Sequence, residues 1–184
     1  MFESVMLTME HALLGMVRQQ PRHGYEIFQL ITQPNGLGLI WRVKQSHLYA
    51  LLAKLEGIGY LDATLEPQGT KPPRRILHLT PTGEGTFATW LAAPVTHGRD
   101  FRQEFLAKLY FAMQAGPSAA QALIARQRAT CQQWPQRFTE PSSTNGTDLF
   151  PHLVQQFRWA QTSAILAWLD QCAERIAASA LPCS

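Results

Sequence analysis

The stretch that most constrains the fold of this 184-residue chain is Val43 to Asp62, VKQSHLYALLAKLEGIGYLD. Leu48, Leu51, Leu52 and Leu55 recur at i, i+3, i+4 and i+7, which on a helix makes one apolar stripe committed to a core. The other side carries Lys44, Gln45, Ser46, His47, Tyr49 and Lys54, a row of hydrogen-bond donors and acceptors with little apolar bulk. Gly57 and Gly59 stop the helix, and Tyr60-Leu61 opens a strand-like alternation. A short helix with a buried back, a polar front and a strand directly after it is what a winged helix-turn-helix presents to a DNA major groove. An ordinary amphipathic core helix reads the same way, so the neighbouring segments decide.

Upstream, Met9, Ala12, Leu13, Met16 and Val17 keep helical spacing from Thr8, a candidate N-cap, to Arg18, and Pro21 closes this helix. His11 has no second ligand at i+3 or i+4 and reads as a surface or capping residue. Tyr25, Ile27, Phe28 and Ile31 predict a second helix from Gly24, turned by Pro34-Asn35-Gly36. Leu37, Leu39, Ile40 and Trp41 then form a small strand or an extended connector before the third helix. Downstream, Tyr60–Glu66 and Arg74–Leu79 read as two strands joined by the turn chemistry of Pro67 to Pro73, a hairpin with a basic tip. Thr80-Pro81 places a capping hydroxyl before a first-turn proline and predicts a fourth helix through Phe87, Trp90 and Leu91 to about Pro94.

Charge follows the same segment. The formal net charge is only +3, yet between Arg42 and Arg75 six basic residues (Arg42, Lys44, Lys54, Lys71, Arg74, Arg75) face three acidic ones (Glu56, Asp62, Glu66). Cationic residues on both the helix and the hairpin suit phosphate contacts. Cys131, Cys172 and Cys183 are widely spaced without a C-x-x-C pair, and the histidines lack ligand spacing, so no metal site is expected. Phosphate-loop, dinucleotide, zinc-protease and nucleophile-elbow motifs are absent, so the sequence predicts neither an enzyme nor a cofactor. Glu3 and Glu10 stand where a secretory signal needs positive charge, and no apolar run approaches the ~18 residues of a membrane span. A cytoplasmic protein without a membrane partner is expected.

Beyond Asp100, Phe101, Phe105, Leu109 and Met113 repeat every four residues, with Leu106 and Tyr110 beside them, up to Gly116-Pro117. Ser118 to Gln121 has the form of a capping box and starts a helix that runs to Trp134-Pro135. After a polar loop at 142–147, Leu153, Val154, Phe157, Ile165, Trp168, Leu169, Cys172 and Ile176 mark one last helix of about 25 residues or more, roughly double the average. Its apolar surface exceeds what a small domain covers alone. A homodimer is therefore expected, with Phe105, Leu109, Val154, Phe157, Ile165, Trp168, Leu169 and Cys172 at the interface. The segment is also rich in rings, including Phe111, Trp134, Phe138, Phe150 and Trp159, which either are simply core or line a pocket for a flat aromatic or lipophilic effector, with Trp90, Tyr110 and Trp159 as its expected residues.

The motifs HGYEI (His23–Ile27), LYALLAKLEGIGYLD (Leu48–Asp62), RRILHLTPTGEGTFATWL (Arg74–Leu91) and EFLAKLYFA (Glu104–Ala112), in that order, resemble the PadR family of bacterial transcriptional regulators. The resemblance covers roughly the first two thirds of the chain. It implies a mainly α fold with a small β-hairpin wing: a winged helix-turn-helix DNA-binding domain over 1–94 and a helical dimerisation domain over 95–184. It further implies a homodimeric repressor of operator DNA that a small molecule releases. Ala50 replaces the proline that often follows the Leu-Tyr pair, and His47 stands where a small residue is common. Both departures lie on the presumed recognition helix, so the resemblance does not carry a target sequence. The expected double-stranded DNA contacts are His23, Tyr25, Lys44, Gln45, Ser46, His47, Tyr49, Lys54, Lys71, Arg74 and Arg75. A winged-helix protein-interaction module that does not bind DNA is the alternative, and basic residues on both helix and wing favour the DNA reading.

Overall fold

A computed structural model describes residues 6–69, 71–134 and 149–179, without the side chains at 68, 71 and 72. The chain forms two compact units, Met1–Ala93 with Leu106–Phe111, and Pro94–Phe105 with Ala112–Ser184. It is mainly α with one small antiparallel sheet.

In the first unit, α1 (Thr8–Gln19) is the central element: every residue from Ala12 to Val17 is buried, because α2, α3, α4 and β3 all pack around it. Its N-cap is Leu7, and Thr8 lies one position inside the helix. The orphan Leu7 N–H donates to Glu10 Oε2 at 2.8 Å. β1 (Arg22–His23) leads into α2 (Gly24–Ile31), which buries Ile27 and Ile31. The apolar run that follows is a 3₁₀ turn, Leu37–Leu39, in place of the expected strand or extended connector. Leu37 and Trp41 plug the core while Leu39 points outward. α3 (Gln45–Gly57) buries Leu48, Leu51, Leu52 and Leu55, as its spacing predicts. Gly59, at φ +78°, takes the left-handed conformation after the helix end.

β2 (Leu61–Gln68) and β3 (Lys71–Leu79) form the hairpin around Gly69, at φ +61°. The strands reach further into the tip than the prolines predict. Pro67 falls at the register shift between Glu66 and Gln68, where a residue without an N–H breaks no ladder bond. β1 adds a third strand, Arg22 opposite Leu77 and His23 opposite Ile76, giving the order β1-β3-β2. α4 (Pro81–Ala92) starts as predicted, with Thr80 Oγ1 accepting the Gly83 N–H at 3.1 Å. The same hydroxyl donates to Gly59 O at 2.8 Å, so one side chain joins the exit of α3 to the entry of α4. Phe111, from the returning segment, packs edge to face on Phe87.

The expected continuous helix from Asp100 begins instead, in the second unit, as a 3₁₀ turn (Gly98–Asp100) and a π turn (Phe101–Phe105), before α5 (Leu106–Gln114), whose residues up to Phe111 belong to the first unit. Phe101 and Phe105 stack at 4.3 Å and both present their rings to the edge of Trp168. α6 (Pro117–Gln132) starts at Gly116, whose φ is +115°, with no side-chain cap from Ser118. Buried Gln127 accepts the Val95 N–H at 2.7 Å and donates to Val95 O at 2.9 Å, completing the backbone hydrogen bonds of that connector. α7 (Leu149–Ser179) is 31 residues long and lies along α6, tied to it by Arg128 and Asp170. The 142–147 loop and Phe138 lie outside the described residues.

Candidate nucleic-acid interface

The first turn of α3 is the chemically distinctive surface of the first unit. Lys44 is its N-cap in extended conformation, and Gln45, Ser46 and His47 follow, all exposed. Their N–H groups have no partner within the helix, and no acidic residue occupies the turn, so the positive end of the helix dipole is bare. Tyr49 is exposed, and its ring lies across the start of α2, 2.9 Å from where a Cβ on Gly24 would stand. Tyr25 is half exposed at the start of α2.

Three of the expected contacts have other engagements. His23 is a helix cap: its Nδ1 accepts the Glu26 N–H at 3.1 Å, and Glu26 Oε2 accepts the His23 N–H at 3.2 Å. This is a reciprocal capping box with an imidazole in place of a hydroxyl. Lys54 donates to Glu10 Oε1 at 2.6 Å, and that carboxylate is 0% exposed. Its charge is therefore turned toward α1, because a buried carboxylate needs a cation. Arg75 is held by Glu56 of α3.

Strand alternation explains why the adjacent Arg74 differs. Arg75 and Leu77 share the face of β3 that packs on the core, whereas Arg74 and His78 project to the other face. There Arg74 is exposed opposite Glu66, and His78 Nε2 meets Thr64 Oγ1 at 2.8 Å. The side chain of Lys71 lies outside the described residues. The surface is thus Lys44, Gln45, Ser46, His47 and Tyr49 on one helix, with Tyr25 beside it and Arg74 on the wing. Sequence reasoning missed Glu10 and Glu56, the acidic partners that divert two of the cations.

Residues 13–89 match the model of the Transcriptional regulator PadR-like family, and residues 101–177 match Virulence activator alpha C-term. Over residues 13–89 the chain is PadR-like. It is 30% identical over 106 residues to the negative transcriptional regulator PadR of Bacillus subtilis, a match spanning 58% of this chain and 57% of that relative. It is 23% identical over 187 residues to the probable transcriptional regulator Rv1176c of Mycobacterium tuberculosis, covering 92% and 98% of the two chains. A crystal structure of Bacillus subtilis PadR with operator DNA matches at a TM-score of 0.47 and 24% identity, covering 93% of this chain and 98% of that one.

In the second unit of the chain, the expected interface residues divide. Phe105 and Leu169 are buried, and half-buried Trp168 is engaged with Phe101 and Phe105, whereas Leu109, also buried, belongs to the first unit. Phe157 is 66% exposed, and with Phe150, Leu153 and Val154 it forms an i, i+3, i+4, i+7 stripe on the N-terminal half of α7. Ile165 and Cys172, further along, are half-buried.

The expected effector residues also separate. Trp90 is buried, stacked on His11 at 5.0 Å with the Lys108 ammonium 5.2 Å from its ring, and borders a shallow depression with Thr82, Thr86 and Thr89. Tyr110 packs on Phe111. Trp159 is exposed on α7 and lines neither this depression nor the deeper cleft of about 350 Å³ in the second unit. That cleft is bounded by Thr96, Arg99, Trp134, Phe157, Arg158 and Gln161.

Among the described residues no group of three or more His, Cys, Asp or Glu converges as a metal site. No described helix is long and apolar enough to cross a membrane. Burial pushes the Cys131 thiol above its ordinary value of 9.0, against a smaller opposing effect of the Gln127 hydrogen bond.

Proposed function

We propose that this regulator is a homodimeric, sequence-specific repressor that reads operator DNA with the first turn of α3 and steadies itself on phosphates with Arg74 and Lys44. The observation that carries the reading is the exposed, acid-free turn of Gln45, Ser46 and His47 on a helix whose opposite face is fully committed to the core. Side chains of this kind reach base edges, while the free N–H groups and adjacent cations suit the backbone. The B. subtilis relative's name, a negative regulator, supports repression as the sign. Dimerisation draws support from the exposed Phe150–Phe157 stripe, since a contiguous apolar face is a cost for a monomer in water. Two-fold symmetry then pairs the two α3 helices with a palindromic site.

A small effector completes the proposal, a flat aromatic or lipophilic molecule held in the second unit. The cleft beside Trp134 and Phe157 has the mixed apolar and polar lining that such a ligand needs. Mobility shifts on the DNA upstream of the protein's own gene, at two salt concentrations, test the central reading. Retardation of that fragment in preference to a shuffled one, weakening as salt rises, is the expected result. Equal retardation of both removes sequence specificity, and none at either salt favours the interaction-module alternative.

A further inference from the structure

α3 is gripped from two sides. At about 100° per residue, the Leu48, Leu51, Leu52 and Leu55 stripe has Lys54 and His47 on one flank and Gln45, Tyr49 and Glu56 on the other. Lys54 is bound to Glu10 of α1, and Glu56 to Arg75 of the wing. Close packing of the four leucines seats the helix, and directional hydrogen bonds on its flanks add to the restraint on its rotation. A hydrogen-bonded ion pair on each flank opposes rotation in either sense.

The two grips are unequal. The Arg75 side chain is largely exposed, so water and salt screen its pair with Glu56. Glu10 is fully buried and uses both oxygens: Oε2 accepts the Leu7 N–H at 2.8 Å and Oε1 accepts a hydrogen bond from the Lys54 ammonium at 2.6 Å. The carboxylate is thereby anchored to its own helix before it holds α3. Side-chain atoms of a helix lie ~5–6 Å from its axis, so a rotation of ~20° displaces them by ~2 Å. That displacement is enough to break a base-edge hydrogen bond.

We propose that Glu10 is a positioning residue for sequence reading: acting through Lys54, it fixes the rotation of α3 and so the aim of Gln45, Ser46 and His47. This rests on the reading of α3 as the DNA-reading helix. Glu10 touches no DNA itself, and its removal acts on the distinction between sequences more than on binding to DNA in general.

The test uses the full chain and two duplexes, one enriched from a random pool by the wild-type protein and one shuffled from it. Glu10→Gln keeps the size and the acceptor for Leu7 but removes the charge, and Lys54→Gln removes the other partner. Both variants are compared well below their melting temperatures. The expected result is a loss of about tenfold on the enriched duplex, the size of one weakened base contact, with little change on the shuffled one. The double variant should lose no more than either single variant, because the two residues act as one unit. An unchanged ratio between the duplexes overturns the proposal, and so does an equal loss on both, which marks Glu10 as a stability residue only. If the wild-type protein enriches no sequence, the DNA-reading assignment of α3 falls, and this proposal with it.

Discussion

Phe87 and Phe111 meet edge to face over Gly15, their ring centroids 5.3 Å apart and their planes at 86°. A Cβ on Gly15 would stand 2.6 Å from one ring and 2.7 Å from the other. Alanine gains ~1 kcal/mol of helix propensity over glycine, but overpacking a core costs ~1–3 kcal/mol. Gly15→Ala is therefore expected to lower the melting temperature by several degrees. A rise in a thermal melt followed by circular dichroism would show that the rings yield freely.

The two wing arginines should differ in salt dependence. Each phosphate contact contributes ~0.9 to the slope of log K against log salt. Arg74→Ala is expected to reduce the slope by about that amount, whereas Arg75→Ala reduces it less, because Glu56 already neutralises Arg75. Titrations across a salt series check this. Equal reductions would show that Arg75 leaves Glu56 when DNA binds.

Gln45→Ala and His47→Ala should alter which sequence is preferred, with little effect on random DNA, since a base-edge contact is worth ~1–3 kcal/mol of discrimination. Competition between enriched and shuffled duplexes measures it. Uniform weakening on both would reassign these residues to phosphate contacts.

Placing glutamate at Phe150 and Phe157 puts charge on an exposed apolar stripe without entering the core. Light scattering should give a dimer for the wild type and a monomer for the double variant, with helix content retained. A monomeric wild type at micromolar concentration removes the two-fold reading.

The Cys131 thiol sets an alkaline limit. Burial raises its folded pKa above the unfolded value, so the unfolded chain releases the proton first as pH rises. The contribution to stability is present below the ordinary value of 9.0 and is lost as pH climbs from there through the folded pKa. Denaturant unfolding across this range should show a steeper decline for wild type than for Cys131→Ala. Parallel declines would assign the loss to other groups.

The features legible in the sequence were those with local causes. The leucine spacing of α3, the Thr80-Pro81 start of α4 and the long apolar repeat of α7 depend on periodicity or capping within a few residues. The strand β1 was not legible, because two residues form a strand only when a distant partner, Ile76 and Leu77, is beside them. The engagement of Lys54 was missed for a different reason. Glu10 stands three, four and seven positions before Leu13, Leu14 and Val17, on the buried stripe of α1, and a carboxylate there demands a cation from elsewhere. That demand was readable, but which lysine answers it depends on how α1 and α3 pack. His23 deceived by its type, since capping boxes are sought among hydroxyl and carboxylate residues.

The return of Leu106–Phe111 to the first unit also governs when that unit can finish folding. Phe111 completes the aromatic cover on Phe87, and the buried Lys108 ammonium donates to Ala93 O at the end of α4. A nascent chain that has emerged only as far as Ala93 therefore lacks part of its own core, and the unit closes only after residue 111 is available. Domain excision meets the same limit: a fragment ending at Ala93 exposes Phe87 and Trp90 to water, whereas one ending after Phe111 carries its own lid.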